Sequence, residues 1–251
     1  MTPHFPALII GAGQAVLAAA HELARRGLVP GEGFVVLDAN EGPGGAWRHR
    51  WDSLTLGKAH GIADLPGLPM TRPDPGVPAS RLVAEYYGAY EEEFGLQVIR
   101  PARVTRVEPA DEADPAGRLR VTSGAGEFTT DVLLNSTGTW DNPYVPYIPG
   151  IEDFEGVQLH TKDYVNAEQF RGRKTLVVGG GLSAIQFLLE LEDVTETIWA
   201  TRRPPNFTNR WKDEDKQWGL DVEDAVRDRT FAGERPASVV RTTGIGMIPD
   251  Y

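Results

Sequence analysis

Two glycine-rich stretches offer the clearest opportunity for chemistry in this sequence. Gly11 and Gly13 follow the apolar run ALII, and Gly179 and Gly181 follow the apolar run TLVV. Glycine lets a backbone turn sharply after a strand and approach a phosphate closely, with the phosphate charge at the N-terminus of the next helix. Both stretches therefore indicate sites for the pyrophosphate of a dinucleotide.

The first stretch departs from the G-x-G-x-x-G pattern, because Val16 occupies the third glycine position. A glycine there lets helix and strand pack closely, so the valine adds bulk, and Val16→Gly is expected to tighten cofactor binding. The next strand ends at Asp38, where a carboxylate can meet ribose hydroxyls. Together with Gln14, which follows the second glycine, these residues suit FAD or NAD. The alternative is an ordinary strand–helix–strand unit without a ligand.

The second stretch matches the pattern G-x-G-x-x-A through Gly179, Gly181 and Ala184. Ser183 adds a hydroxyl group at the start of the helix that follows. In place of an acid, the next strand is followed by Arg202 and Arg203. Guanidinium groups bind a ribose 2′-phosphate, which a carboxylate repels, so this site suits NADP(H). The alternative is two solvated arginines at the end of a strand.

Each glycine stretch lies in a strand–helix–strand segment, which is the unit of a parallel doubly wound sheet. Its recurrence predicts an α/β fold with two Rossmann-like dinucleotide-binding domains, each of three layers. Between the segments, residues 81–95 resemble a helix, and residues 102–109, 118–126 and 131–138 resemble strands. The three prolines of residues 139–150 interrupt both kinds of element.

We therefore expect a cofactor domain over residues 1–150, a linker over 151–172 and a second cofactor domain over 173–251. Beyond residue 203 the pattern weakens, and residues 213–229 are predicted to form a charged surface helix.

Composition excludes several other classes of function. The 251 residues carry a net charge of −11, which disfavours nucleic acid or an anionic membrane as a partner. The absence of cysteine removes disulfides, thiolate metal sites and thiol redox pairs. No apolar run approaches the length of a membrane span, so a cytoplasmic protein is expected.

Two further kinds of site are disfavoured by spacing. Ser183 follows a strand as a hydrolase nucleophile would, but Ile185 occupies the last position of the G-x-S-x-G pattern. The histidines show no spacing typical of metal ligands, and they are His4, His21, His49, His60 and His160. No metal site is predicted.

Three further segments resemble a known family. Phe154, Gly156, His160 and Tyr164 match the motif F-x-G-x-x-x-H-x-x-x-Y. This motif resembles the identifying sequence of class B flavin-dependent monooxygenases, which include flavin-containing, Baeyer–Villiger and N-hydroxylating enzymes. The family's G-G-x-W segment is matched by Gly44, Gly45 and Trp47. Its Thr-Gly strand end with a proline-rich exit is matched by Thr137 and Gly138.

The resemblance implies an enzyme that passes a hydride from NADPH to FAD. Reduced flavin and O₂ would form a C4a-(hydro)peroxyflavin that oxygenates a small substrate at nitrogen, sulfur or a carbonyl carbon. The residues implied for FAD are Gly11, Gly13, Gln14, Asp38, Gly45, Trp47, Thr137 and Gly138. Those implied for NADPH are Gly179, Gly181, Ser183, Ala184, Arg202 and Arg203. His160 is implied to couple the two domains, and no acid–base catalyst is assigned.

The family pattern also implies a return of the chain into the FAD domain, with a second Thr-Gly strand end. That return would begin near residues 242–251, so the C-terminal part of the FAD domain is expected to be missing from this sequence. An unpaired sheet edge would make self-association plausible. Two alternatives stay open, namely an NADPH oxidase that releases H₂O₂, and a module that binds or senses NADP(H) without turnover.

Overall fold

The computed structural model describes residues 2–59, 62–71, 74–202, 204, 207–208, 215–235 and 245–246. For residues 207–208, 215–222 and 245–246 it describes the backbone. The chain divides into two compact units, Met1–Tyr164 and Val165–Tyr251. The division falls within residues 151–172, the segment predicted to be a linker.

The first unit is built on a six-stranded sheet. Its strands are β1 (His4–Ile10), β2 (Phe34–Leu37), β3 (Val98–Ile99), β4 (Val104–Pro109), β5 (Leu119–Ser123) and β6 (Gly126–Asn135). They lie in the order β3-β2-β1-β6-β5-β4. The four strands β3, β2, β1 and β6 are parallel, whereas β5 and β4 extend the sheet in antiparallel pairs.

Apolar residues cover both faces of the central strands. The helices α1 (Gln14–Arg25) and α2 (Ala79–Glu93) pack in one core with Ile9 of β1 and Phe34 of β2. Leu8 and Val35, which point to the opposite face, pack with residues of β5 and β6. Strand side chains alternate between faces, so β1 and β2 must be apolar at successive positions to bury both. This explains the continuous apolar runs seen in the sequence.

The α/β fold class predicted from the sequence is confirmed, with one difference in sheet direction. Strands form in the regions predicted over 102–109, 118–126 and 131–138, but the third one, β6, begins at Gly126 and ends at Asn135. The strands β4, β5 and β6 are joined as hairpins. Only Gly124 and Ala125 separate β5 from β6. A parallel connection needs a crossover of roughly a dozen residues or more, so such a short turn forces an antiparallel pair.

The second unit contains the parallel strands β7 (Lys174–Val178) and β8 (Glu196–Ala200), joined by helix α3 (Leu182–Leu191). Val177, Ala184 and Leu191 form its buried core, against which Trp199 packs. The strands β9 (Phe207–Thr208) and β10 (Ile245–Gly246) form a short parallel pair. Helix α4 (Asp215–Phe231) corresponds to the charged helix predicted over 213–229. Within the described residues, no helix is both long enough and apolar enough to cross a bilayer.

Candidate cofactor sites

The ends of four parallel strands define one edge of the first unit. Ile10 of β1 pairs with Leu37 of β2 and with Asn135 of β6, and Leu37 pairs with Ile99 of β3. The ends of these four strands therefore lie side by side at this edge of the sheet. Ligands of doubly wound folds bind at the carboxyl ends of the strands. The residues that follow these four ends form the first candidate site.

The first glycine loop leaves β1 at this edge. Gly11 has a φ of +104°, and its N–H donates to the carbonyl of Leu37 at 2.8 Å. A Cβ atom at Gly11 would lie 2.7 Å from the carbonyl oxygen of Ser136. Both the left-handed backbone and this close approach restrict the position to glycine. The tight turn inferred from the sequence is therefore present.

Gly13 meets a different environment, because a Cβ atom built there would find no heavy atom within 4 Å. It is the N-cap of α1, with a φ of −86°, and exposed Gln14 is the first residue of the helix. The open space lies at the N-terminus of α1, where the backbone N–H groups of a first helical turn can bind an anion. This side of the loop can therefore accept a pyrophosphate.

Two other predicted segments lie against the same loop. Gly45 has a φ of +53°, and a Cβ atom there would lie 2.8 Å from the Cα atom of Gly13. Trp47 follows in the 3-10 helix Gly45–His49 and is half-buried. Thr137 and Gly138 are exposed and directly follow Ser136, whose N–H donates to Ile10 at 3.1 Å. The structure thus brings the strand ends and the G-G-x-W segment to the glycine loop.

Val16 fits into the core beside the first glycine loop. Its side chain is fully buried in the core that contains Ile9, Leu17 and Phe34. A Cβ atom at Gly11 would lie 3.6 Å from Val16 Cγ2, which is an ordinary van der Waals distance. This packing argues against the expectation that Val16→Gly tightens cofactor binding, because removing the side chain would leave a cavity in the core. The effect on affinity stays a prediction.

Asp38 lies at the end of β2 as predicted and is only 3% exposed. Arg100, which follows β3, donates from Nε to Asp38 Oδ2 at 2.8 Å. Asn40 Nδ2 donates to Asp38 Oδ1 at 3.1 Å. Burial lowers the pKa of Arg100, but its hydrogen bonds to Glu91 and Asp38 outweigh burial and raise that pKa overall. Sequence reasoning missed Arg100, although it follows a strand at the same edge as Asp38 does.

An aromatic cluster beside the G-G-x-W segment was also missed. The Arg50 guanidinium lies 4.8 Å from the ring centroid of Trp140, 5.8 Å from that of Trp51 and 5.9 Å from that of Trp47. Burial lowers the pKa of Arg50, and among the described residues no carboxylate pairs with it. The run WRHRW and the tryptophan after the Thr-Gly strand end were the only available signals in the sequence.

His49 links this cluster to the acid at the strand edge. Its ring stacks on Trp140 with an interplanar angle of 15°, and its Nε2 lies 2.7 Å from Asn40 Oδ1. Since Asn40 turns its amide nitrogen to Asp38, its oxygen faces His49, and Nε2 must carry the proton. Burial lowers the pKa of His49, and the charge of Arg48 contributes in the same direction.

The second glycine loop repeats the construction of the first. Gly179 has a φ of +141°, and its N–H donates at 3.0 Å to Ala200 at the end of β8, as Gly11 donates to Leu37. Gly181 is the N-cap of α3, and a Cβ atom there would meet nothing within 4 Å. Ala184 is buried at the third position and donates its N–H to Gly181 at 3.0 Å. Both loops are therefore shaped to receive a pyrophosphate.

The charged groups after the second strand differ from those after β2. Ser183 is half-buried in the first turn of α3. Arg202 lies two residues beyond β8, is exposed, and has no ion-pair partner among the described residues. Arg203, predicted to act with it, lies outside the described residues. The second site thus carries an exposed cation where the first carries a buried acid.

Comparisons with known proteins give the family. The model of the pyridine nucleotide-disulphide oxidoreductase family matches residues 8–232. The indole-3-pyruvate monooxygenase YUCCA1 of Oryza sativa subsp. japonica is 37% identical over 187 residues, which are 74% of this chain and 44% of that protein. A flavin-containing monooxygenase from Stenotrophomonas maltophilia is 32% identical, with a TM-score of 0.75 over 99% of this chain and 66% of that one. The chain belongs to the class B flavin-dependent monooxygenases.

The family assignment made from the sequence is confirmed, and members of this family use FAD and NADPH. Other relatives include an uncharacterized CzcO-like oxidoreductase from Geobacillus kaustophilus, 29% identical over 75% of this chain and 52% of that protein. The chain spans about half the length of the curated relatives it matches.

The family motif has a local structure in the first unit. His160 is the N-cap of the 3-10 helix Thr161–Asp163, where its Nδ1 accepts from the N–H of Lys162 at 3.3 Å. Tyr164 is buried and packs edge-on against Trp51, with ring centroids 5.1 Å apart. The role of His160 in coupling the domains stays a prediction. Within the described ranges, no three His, Asp or Glu residues are grouped as metal ligands would be.

Proposed function

We propose that the first unit binds FAD, that the second binds NADPH, and that the chain forms the cofactor-binding part of an NADPH-dependent flavin monooxygenase. The observation that carries this proposal is that the same glycine loop occurs twice, and that the strand after each loop is followed by a side chain of opposite charge. The same glycine geometry is followed by buried Asp38 in one unit and by exposed Arg202 in the other. An acid suits a ribose with free hydroxyls, and a guanidinium suits a 2′-phosphate.

The residues of the first site fit the parts of FAD. The open side of Gly13 and the start of α1 would hold the pyrophosphate, and Asp38 would bind the adenosine ribose. Gly45 and Ser136 lie against the same loop, and Trp47 and the pair Thr137 and Gly138 follow them directly in the chain. When bound, FAD supplies hydride acceptance and oxygen activation. The part of this chain in the reaction is to bind, orient and shield the nucleotide.

The second site fits NADPH by the same argument. The open side of Gly181, with Ser183 in the first turn of α3, would hold its pyrophosphate. Arg202, together with Arg203, would bind the 2′-phosphate, and Ala184 keeps helix and strand close. The difference between the two sites supports the proposal that the first unit binds FAD and the second binds NADPH. Location and oligomeric state stay predictions from the sequence.

The proposed substrates are small molecules oxygenated with O₂ at a nitrogen, a sulfur or a carbonyl carbon. The rice relative is an indole-3-pyruvate monooxygenase, so a 2-oxo acid is the first substrate to test. No residue of this chain is assigned to substrate recognition.

The test begins with the absorbance spectrum of the purified chain. Flavin bands, and FAD released on denaturation, would support the proposal. A colourless chain that binds NADPH but no added FAD would contradict it and favour an NADP(H)-binding module. If the chain binds both, NADPH consumption, oxygen uptake and product are measured together. Stoichiometric H₂O₂ without oxygenated product, across amine, sulfide and carbonyl substrates, would identify an oxidase instead.

A further inference from the structure

Arg100 lies between two carboxylates at the strand edge of the first unit. Its Nε donates to Asp38 Oδ2 at 2.8 Å, and its two terminal nitrogens donate to the two oxygens of Glu91 at 2.5 and 2.7 Å. The exposed fractions of the side chains are 11% for Arg100, 4% for Asp38 and 14% for Glu91. The three charges are therefore largely removed from solvent screening.

This arrangement fixes the orientation of the Asp38 carboxylate. The planar guanidinium of Arg100 is held by both oxygens of Glu91 on α2, so its Nε–H points in one fixed direction, toward Asp38. The backbone of Asp38 is held as well, because its N–H donates to Ile99 and its carbonyl accepts from Ala102. Neither the carboxylate nor its backbone is free to turn away from the edge.

The remaining hydrogen-bonding capacity of Asp38 matches a diol. A carboxylate has about four acceptor positions on its two oxygens. Arg100 occupies a position on Oδ2, and Asn40 occupies one on Oδ1. Each oxygen therefore retains capacity for one donor, as two neighbouring hydroxyl groups would require. Asp38, Glu91 and Arg100 together carry one net negative charge, so the group as a whole repels an added phosphate.

We infer that Arg100, clamped by Glu91, is a positioning residue that orients Asp38 toward the adenosine ribose hydroxyls and makes the first site selective for a dinucleotide without a 2′-phosphate. This inference rests on the proposed function, which assigns FAD to the first unit. Arg100 acts through Asp38 and is not itself assigned a contact with the nucleotide.

The experiment compares FAD with an FAD analogue that lacks the adenosine ribose 2′-hydroxyl. Both are titrated into the wild-type chain and into Arg100→Gln, Arg100→Lys and Glu91→Gln. Arg118→Gln is the matched control, because Arg118 pairs with Asp131 at 3.1 Å on the exposed surface of the same unit. Thermal unfolding of each apoprotein reports whether it folds.

The analogue loses one hydrogen bond to the charged carboxylate of Asp38. We therefore expect the wild-type chain to bind FAD about tenfold or more tightly than the analogue. Arg100→Gln should weaken FAD binding and bring this preference close to one, since Asp38 is no longer aligned. Arg100→Lys keeps the charge without the fork and should restore only part of the preference. Glu91→Gln should reduce it to an intermediate value, and Arg118→Gln should leave it unchanged.

A folded Arg100→Gln variant that keeps the wild-type preference for the hydroxyl would overturn the inference, even if its FAD affinity were lower. If Arg100→Gln fails to fold, Glu91→Gln decides, because an unchanged preference there would overturn it equally. A wild-type chain that binds no FAD would refute the proposed function, and this inference with it. A wild-type chain that binds FAD and the analogue equally well would refute the inference alone.

Discussion

Gly13→Ala should separate cofactor binding from folding at the first site. Gly13 has a φ of −86°, which alanine adopts without strain, and a Cβ atom there meets no heavy atom within 4 Å. The added methyl group therefore disturbs nothing in the apoprotein. It does project into the open space where we place the pyrophosphate of FAD. Gly11→Ala is the contrasting variant, because its Cβ would lie 2.7 Å from the carbonyl oxygen of Ser136.

The expected magnitudes follow from this geometry. Alanine is a poorer N-cap than glycine by several tenths of a kcal/mol, but it lowers the entropy of the unfolded chain by a similar amount. The free energy of unfolding of Gly13→Ala should therefore stay within about 1 kcal/mol of wild type. Losing one charge-assisted hydrogen bond to a phosphate costs about 1.5 to 3 kcal/mol, so FAD should bind roughly tenfold to a hundredfold more weakly.

The assay is flavin titration beside urea unfolding of the apoprotein. Gly181→Ala is the matched control in the second unit, where a Cβ atom would also meet nothing within 4 Å. It should weaken NADPH and leave FAD affinity unchanged. The reasoning is refuted if Gly13→Ala folds like wild type and binds FAD equally well, because the loop would then not approach the phosphates. Equal weakening of both nucleotides by each variant would contradict the assignment of one nucleotide to each unit.

Three other predictions concern the second site, the core and alkaline pH. Arg202→Ala should weaken NADPH about tenfold or more while changing NADH little, because only NADPH carries the 2′-phosphate; equal loss in titrations of both would contradict this assignment. Val16→Gly should lower the free energy of unfolding by about 2 to 4 kcal/mol in urea without tightening FAD, because it opens a cavity and places glycine in a helix. Burial raises the pKa of Tyr87 and Tyr90 from 10.0 to about 12. Their neutral forms therefore stabilise the fold fully below about pH 10, and this stabilisation is lost as the pH rises toward 12. In urea unfolding, the free energy of unfolding of Tyr87→Phe should fall less steeply between about pH 10 and 12 than that of wild type. An equally steep fall in both proteins would count against the prediction.

Much of the fold was readable because its determinants are local. The strand, glycine loop and helix at residues 7–25 recur at residues 174–191, and both were found where the sequence predicted them. The direction of β4 and β5 was not foreseen, because strand patterns look alike in parallel and antiparallel sheets. The short turn at Gly124 and Ala125 was the available signal, since it excludes a crossover.

The sequence by itself determined the family, the α/β class and the nucleotide expected at each loop, because these depend on residue types at fixed spacing. Only the tertiary structure decided how well each site is built. Arg100 lies 62 residues from Asp38, and they meet because β3 pairs beside β2 in the sheet. The sequence shows only that Val16 is bulky, and whether its side chain fits depends on the space between helix and strand. Such distances arise from the packing of the whole unit, which no local pattern encodes.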